Sequence, residues 1–127
     1  MKKIIRTENA PAAIGPYSQA VEAGNTLFLS GQIPIDPATG ELVEGGIKEQ
    51  TNQVFKNITA VLDEAGYAWE HIVKTTVFLA DMALFSDMNG IYAEQFSGDF
   101  PTRSTIAVKE LPKKALVEIE VIAMKSK

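Results

Sequence analysis

Cysteine is absent from the 127 residues, and histidine and tryptophan occur once each. The missing cysteines exclude disulfides, thiolate nucleophiles and thiolate metal sites together, and they accord with a reducing compartment. The lone histidine, His71, follows Trp69-Glu70 in a turn and reads as a surface residue. There is no P-loop, no GxGxxG and no pair of carboxylates at metal-ligand spacing, so neither a metal nor another cofactor is expected. No run approaches the roughly 20 apolar residues that span a bilayer. The opening MKKIIRTENAPAA lacks the apolar stretch of a signal peptide, and the expected location is cytoplasmic. Positive charge is also scarce: 12 Lys and Arg against 16 Asp and Glu leave a net charge of −4. Such a chain gains nothing from phosphate attraction, so neither nucleic acid nor membrane is an expected partner.

What remains is an ordinary globular composition, 46% hydrophobic and 22% charged, on a length that suits one domain over residues 1–127. Gly24-Asn25, between YSQAVEAG and TLFLSGQI, suits a two-residue II′ hairpin with Gly24 at positive φ. PIDPATGEL reads as a surface loop. Apolar residues at Ile47, Val54, Phe55, Ile58, Val61, Leu62 and Ala65 predict a helix over 47–65 that Gly66 ends. Asn57-Ile58-Thr59 matches a glycosylation sequon but lies inside that helix and carries no weight. The β-branched stretch Ile72 to Ala80 reads as a strand. Asp81 then caps a second helix to about Ser97, with Phe85, Met88, Tyr92 and Phe96 as its buried stripe. Two final strands close the domain as a hairpin. The order predicts an α+β fold, a mixed sheet with two helices packed on one face. In TLFLSGQIPI, Leu27, Leu29, Ile33 and Ile35 would share one side and Phe28, Ser30 and Gln32 the other, a mixed surface that suggests a subunit interface.

Candidate chemistry concentrates in FPTRSTIAVKELPKKALVEIEVIA, residues 100–123. With Val117, Ile119 and Val121 in the core, Glu118 and Glu120 must face away from it, since an unpaired buried carboxylate costs several kcal/mol. In a hairpin that buries Ile106 and Val108, Arg103, Thr105 and Ala107 would share the acids' face. Two readings stay open: an idle cross-strand ion pair worth about 0–1 kcal/mol, or an arginine fork for a substrate carboxylate beside an acid–base glutamate. Asn89, four residues after Phe85 and three before Tyr92, either bonds a neighbouring loop or lines a pocket. Gly31 in a strand marks a bulge or a close approach. Tyr17 is a strand aromatic or a pocket wall.

Taken together, APAAIGPYSQA, SGQIP, VKTTVFLADM, FPTRS and LPKKALVEIEVIA resemble, in order and over nearly the whole chain, the signatures of the RidA (YjgF-type) reactive intermediate deaminase family. The resemblance implies a chorismate mutase-like fold and a homotrimer. Its sheets would form a central barrel with pockets between subunits. It implies hydrolysis of 2-imino and 2-enamino acids to 2-oxo acids and ammonia. On that basis Arg103 would hold the substrate carboxylate and Glu118 would activate water, with Glu120 ranked second. Tyr17, Ser30, Gly31 and Asn89 would shape the pocket, and backbone near Thr105 would contact the imine nitrogen. Many members carry cysteine where this chain has Thr105, so thiol chemistry there is not expected. A ribonuclease or translation inhibitor, ascribed to some relatives, is the alternative, but the acidic chain lacks a basic stripe. A non-enzymatic, ligand-sensing trimer is the third reading.

Overall fold

The computed structural model describes residues 1–126. Eight strands and two α-helices follow in chain order: β1 (Lys2–Ile5), β2 (Ala20–Ala23), β3 (Thr26–Gln32), β4 (Ile35–Asp36), β5 (Glu41–Leu42), α1 (Ile47–Ala65), β6 (Ile72–Leu79), α2 (Phe85–Gln95), β7 (Thr102–Ala107) and β8 (Val117–Met124). Six strands form one sheet in the order β1-β2-β3-β8-β6-β7, and β4 and β5 pair separately. PIDPATGEL is thus a small hairpin rather than plain loop. The edge strand β1, with two lysines and no alternating pattern, was not anticipated.

Local signals act as their chemistry dictates. Helix α1 runs Ile47–Ala65 and ends on Gly66 at φ 79°, the left-handed region where a missing Cβ removes the steric cost. Its stripe of Ile47, Val54, Phe55, Ile58, Val61 and Leu62 is buried. Gly24 has φ 61° while Asn25 is not at positive φ, which gives the II′ turn between Ala23 and Thr26. Asp81 accepts from the Ala83 N–H and caps a 3₁₀ turn over Met82–Leu84, which leads into α2. Helix α2 stops at Gln95, before Ser97, with Met88 and Tyr92 buried and Phe85 and Phe96 packed at the margin.

Both helices cover one face of the sheet, over a core of Leu27, Leu29, Val77, Leu79, Val117, Ile119 and Val121. Among the described residues no helix packs on the opposite face. Register places Ile4, Phe28, Ile106 and Met124 there, each about half exposed (51%, 47%, 47% and 50%).

Two expectations about pairing are corrected. The last two strands are not a hairpin: β7 runs parallel to β6, and β6 separates it from β8. The unit β6-α2-β7 is a crossover, and residues 108–116 carry the chain back over β6. A short polar segment suggested adjacency, but the strand–helix–strand order before it favours the parallel pairing. The second correction concerns β3. Its pairing with β8 shifts between Leu29↔Val121 and Gln32↔Ile119, so Ser30-Gly31 is a bulge. The extra residue turns Gln32 into the core, where it is 5% exposed, rather than onto the side of Phe28.

Candidate active site

Side chains at paired positions share a face. The row Val121–Thr75–Arg103 and the row Ile119–Val77–Thr105 lie on the helix face. The row Glu118–Phe78–Ile106 and the row Glu120–Thr76–Ser104 lie on the open face. Within one chain Arg103 therefore stands on the other side of the sheet from both glutamates. Ile106 is exposed rather than in the core. The shared face was a consequence of the hairpin, and it falls with the hairpin. A cross-strand ion pair between them falls too.

The acids line a cleft of about 520 Å³ on the open face, with Tyr17, Ser30, Gly31 and Lys113 among its walls. The bulge makes room for Glu118. A Cβ on Gly31 would lie 2.8 Å from the Glu118 Cδ and 3.0 Å from its Cγ, so only glycine lets the carboxylate settle there. Glu118 is half-buried and Glu120 exposed. Burial, and then the neighbouring charge of Glu120, raise the Glu118 carboxyl above the ordinary range. Glu118 is thus the better placed of the two to hold and release a proton. No third His, Cys, Asp or Glu joins them in a possible metal cluster among the described residues.

The walls are held by two buried amides that sequence reasoning passed over. Residues 6–19 have no regular structure, and Gln19 anchors them. Its Oε1 accepts from the Thr7 N–H at 2.7 Å, and its Nε2 donates to the carbonyls of Thr7 at 3.0 Å and Pro11 at 2.8 Å. The Ser30 hydroxyl ties the bulge to the same segment by donating to the Ser18 carbonyl at 2.6 Å. Tyr17 rides on this segment, before β2 rather than within a strand, and is 52% exposed. On the far wall Asn57 Nδ2 donates to the carbonyls of Ile33 at 3.1 Å and Ile35 at 2.9 Å. Its place inside an apolar helical stripe was the available signal: a buried amide there must have partners.

Arg103, Asn89, Tyr92, Phe100 and Pro101 line a second cleft of about 400 Å³ on the helix side. Arg103 Nη1 donates to Asn89 Oδ1 at 2.7 Å. Asn89 therefore lines a pocket and bonds the arginine, not a loop. The guanidinium carbon lies 4.6 Å from the Tyr92 ring centroid and 5.5 Å from that of Phe85, close enough for cation–π attraction. Two residues along, the Thr105 Oγ1 is buried without a hydrogen-bond partner. The site residues thus fall into two groups: Tyr17, Ser30, Gly31 and Glu118 in the open-face cleft, and Arg103, Asn89 and Thr105 on the helix side.

A mixed α+β domain of one six-stranded sheet and two helices is a fold that solved proteins share. The family model described as Endoribonuclease L-PSP matches residues 7–125. A RutC family protein of Pyrococcus horikoshii is 57% identical over 98% of this chain and 99% of its own. A mouse protein named 2-iminobutanoate/2-iminopropanoate deaminase is 48% identical over 98% of this chain and 92% of its own. The crystal structure of YyfA from Yersinia pestis, of the conserved Rid family, superposes with a TM-score of 0.96 at 56% identity, covering 98% of this chain and 100% of that one. The chain belongs to the endoribonuclease L-PSP family, the RidA (YjgF-type) group. No helix among the described residues is long and apolar enough to cross a membrane.

Proposed function

We propose that this protein hydrolyses short-lived 2-imino acids, and the 2-enamino acids that tautomerise to them, to 2-oxo acids and ammonia. The substrate class comes from the mouse relative's name, 2-iminobutanoate/2-iminopropanoate deaminase. The observation that carries the reading is Glu118: a half-buried carboxyl of raised pKa, seated over Gly31 in a cleft. An imine carbon is already electrophilic, so catalysis needs a held carboxylate, a placed water and a proton shuttle. Arg103 grips the substrate carboxylate. On the protonated imine, Glu118 takes one proton from water as the water oxygen bonds the C=N carbon and the π pair moves to nitrogen. It returns that proton to the amino nitrogen, and as the C–N bond breaks it takes the hydroxyl proton, so that the C=O forms and ammonia leaves. Tyr17, Ser30, Gly31, Asn89 and the backbone near Thr105 surround the substrate. Cytoplasmic removal of such imines would protect the pyridoxal-phosphate enzymes that release them.

Arg103 and Glu118 lie on opposite faces of one chain, so a pocket using both needs a second copy. We therefore place it between subunits of a homotrimer, where the open faces with Phe28, Ile106 and Met124 meet. The acidic cleft and the net charge of −4 weigh against a ribonuclease.

A pyridoxal-phosphate dehydratase generating the imine in situ provides the test. The protein accelerates 2-oxo acid release, and Arg103→Ala and Glu118→Ala each abolish most of that acceleration. No acceleration by the wild type rejects the deaminase. A monomer by light scattering at micromolar concentration rejects the shared pocket.

A further inference from the structure

The arginine of the helix-side cleft is braced by a pair of residues that the chemistry above does not use. Thr75 and Tyr92 are both buried, at 1% and 4% exposure, and their hydroxyls lie 2.8 Å apart. The Tyr92 ring is the surface on which the Arg103 guanidinium rests, at 4.6 Å. Thr75 is also the residue that pairs with Arg103 across β6 and β7. One threonine therefore fixes Arg103 at both ends. Its backbone sets the arginine's height on the sheet, and its hydroxyl sets the ring under the arginine's head. Asn89 takes one Nη1 hydrogen at 2.7 Å, which removes the remaining rotation about the stack. A flexible, rotamer-rich side chain is thereby ordered before any ligand arrives. The guanidinium edge not used by Asn89 remains for a planar carboxylate.

We propose that Tyr92 and Thr75 are positioning residues that pre-orient Arg103 for a ligand carboxylate; this rests on the role given to Arg103 above. The hydroxyl pair has a second effect. When the Tyr92 hydroxyl donates to Thr75, electron density on the ring rises and the cation is held more firmly. Losing the ring costs both the stack and the order. Losing either hydroxyl costs the order and that added hold but leaves the stack itself.

The experiment measures the affinity for 2-oxobutanoate by titration calorimetry, together with KM and kcat in the coupled assay. Thermal unfolding and light scattering verify each variant's fold and assembly. Tyr92→Leu is expected to weaken binding and raise KM by about tenfold, with kcat within about twofold of wild type. Tyr92→Phe and Thr75→Val each give a smaller and similar loss, and the double variant loses no more than either single, because both sever one bond. A structural role alone would lower the melting temperature and leave KM and affinity in place. Wild-type affinity and KM in a folded Tyr92→Leu, or in Tyr92→Phe should the leucine variant not fold, overturn the proposal. So do losses that multiply in the double variant. Arg103→Ala separates the two levels. If it abolishes 2-oxobutanoate binding while the Tyr92 variants do not weaken it, only the positioning role falls. If it leaves binding intact, the role of Arg103 falls and the positioning role with it.

Discussion

Gly31→Ala separates seating from stability. The backbone at Gly31 lies outside the left-handed region, so alanine can adopt it. Gly→Ala at a permitted φ stabilises by about 0.4–1 kcal/mol through the unfolded chain. The new methyl, at 2.8 Å from Glu118 Cδ and 3.0 Å from Cγ, must push the carboxyl aside. A glutamate side chain rotates away at low cost, and leaving a half-buried seat relieves its desolvation. Net stability should change by no more than about 1 kcal/mol. Catalysis is far less tolerant. A shift of about 1 Å in a reacting group costs about 100-fold, and loss of a general base about 10²–10⁴. That is about 2.7–5.4 kcal/mol of transition-state stabilisation. The dehydratase-coupled assay gives kcat/KM, and thermal unfolding gives stability on the same samples. The double variant Gly31→Ala, Glu118→Ala should be no slower than Glu118→Ala alone, because the methyl acts only through the displaced carboxyl. Wild-type kcat/KM in Gly31→Ala would refute the reasoning, as would losses that multiply in the double variant.

Three further outcomes follow from contacts in the fold. Glu118 has a raised folded pKa, so its contribution is full below the unfolded value of about 4.3 and is lost as pH rises through the folded one. Glu118→Gln should therefore melt higher than wild type at pH 7, and the gap should close in acid. Gln19→Leu strands the Thr7 N–H and the Thr7 and Pro11 carbonyls; denaturant unfolding should register a loss of about 2–4 kcal/mol. Tyr67 donates to Glu22 Oε2 at 2.7 Å, and burial, then Glu22, push its hydroxyl up to about 12. Wild-type stability should fall between pH 10 and 12, by at most about 3 kcal/mol from this residue. Tyr67→Phe should be less stable at neutral pH and should lack this part of the decline.

Legibility tracked how local each signal was. Helix α1, its stripe and its Gly66 stop could be read because period and cap lie within one segment. The II′ turn at Gly24-Asn25 could be read for the same reason. The face of Arg103 could not, because it depends on which strand β7 joins. That choice is made by a crossover packed through α2, and two-residue alternation is blind to it. Gln32 was misplaced by one bulge residue, although Gly31 had marked the bulge. The roles of Gln19 and Asn57 depend on carbonyls distant in sequence. Both nevertheless carried the same hint, a polar amide where the pattern demands burial. The resemblance offered Arg103 and Glu118 as site residues, while the hairpin pattern put them on one face of a single chain, which the pairing of β7 with β6 and of β6 with β8 overturns.

The interposed strand β6 also makes the proposed assembly divisible by genetics. In the trimer proposed above, each pocket would draw Arg103 from one chain and Glu118 from its neighbour. Two inactive variants can therefore complement each other. In a ring of three that mixes Arg103→Ala chains with Glu118→Ala chains, one junction always joins an intact arginine to an intact glutamate. Random equal mixing leaves about three rings in four mixed, each with one working junction of three, so about a quarter of wild-type activity should return. Unmixed variants, and variants mixed after assembly without exchange, should stay silent.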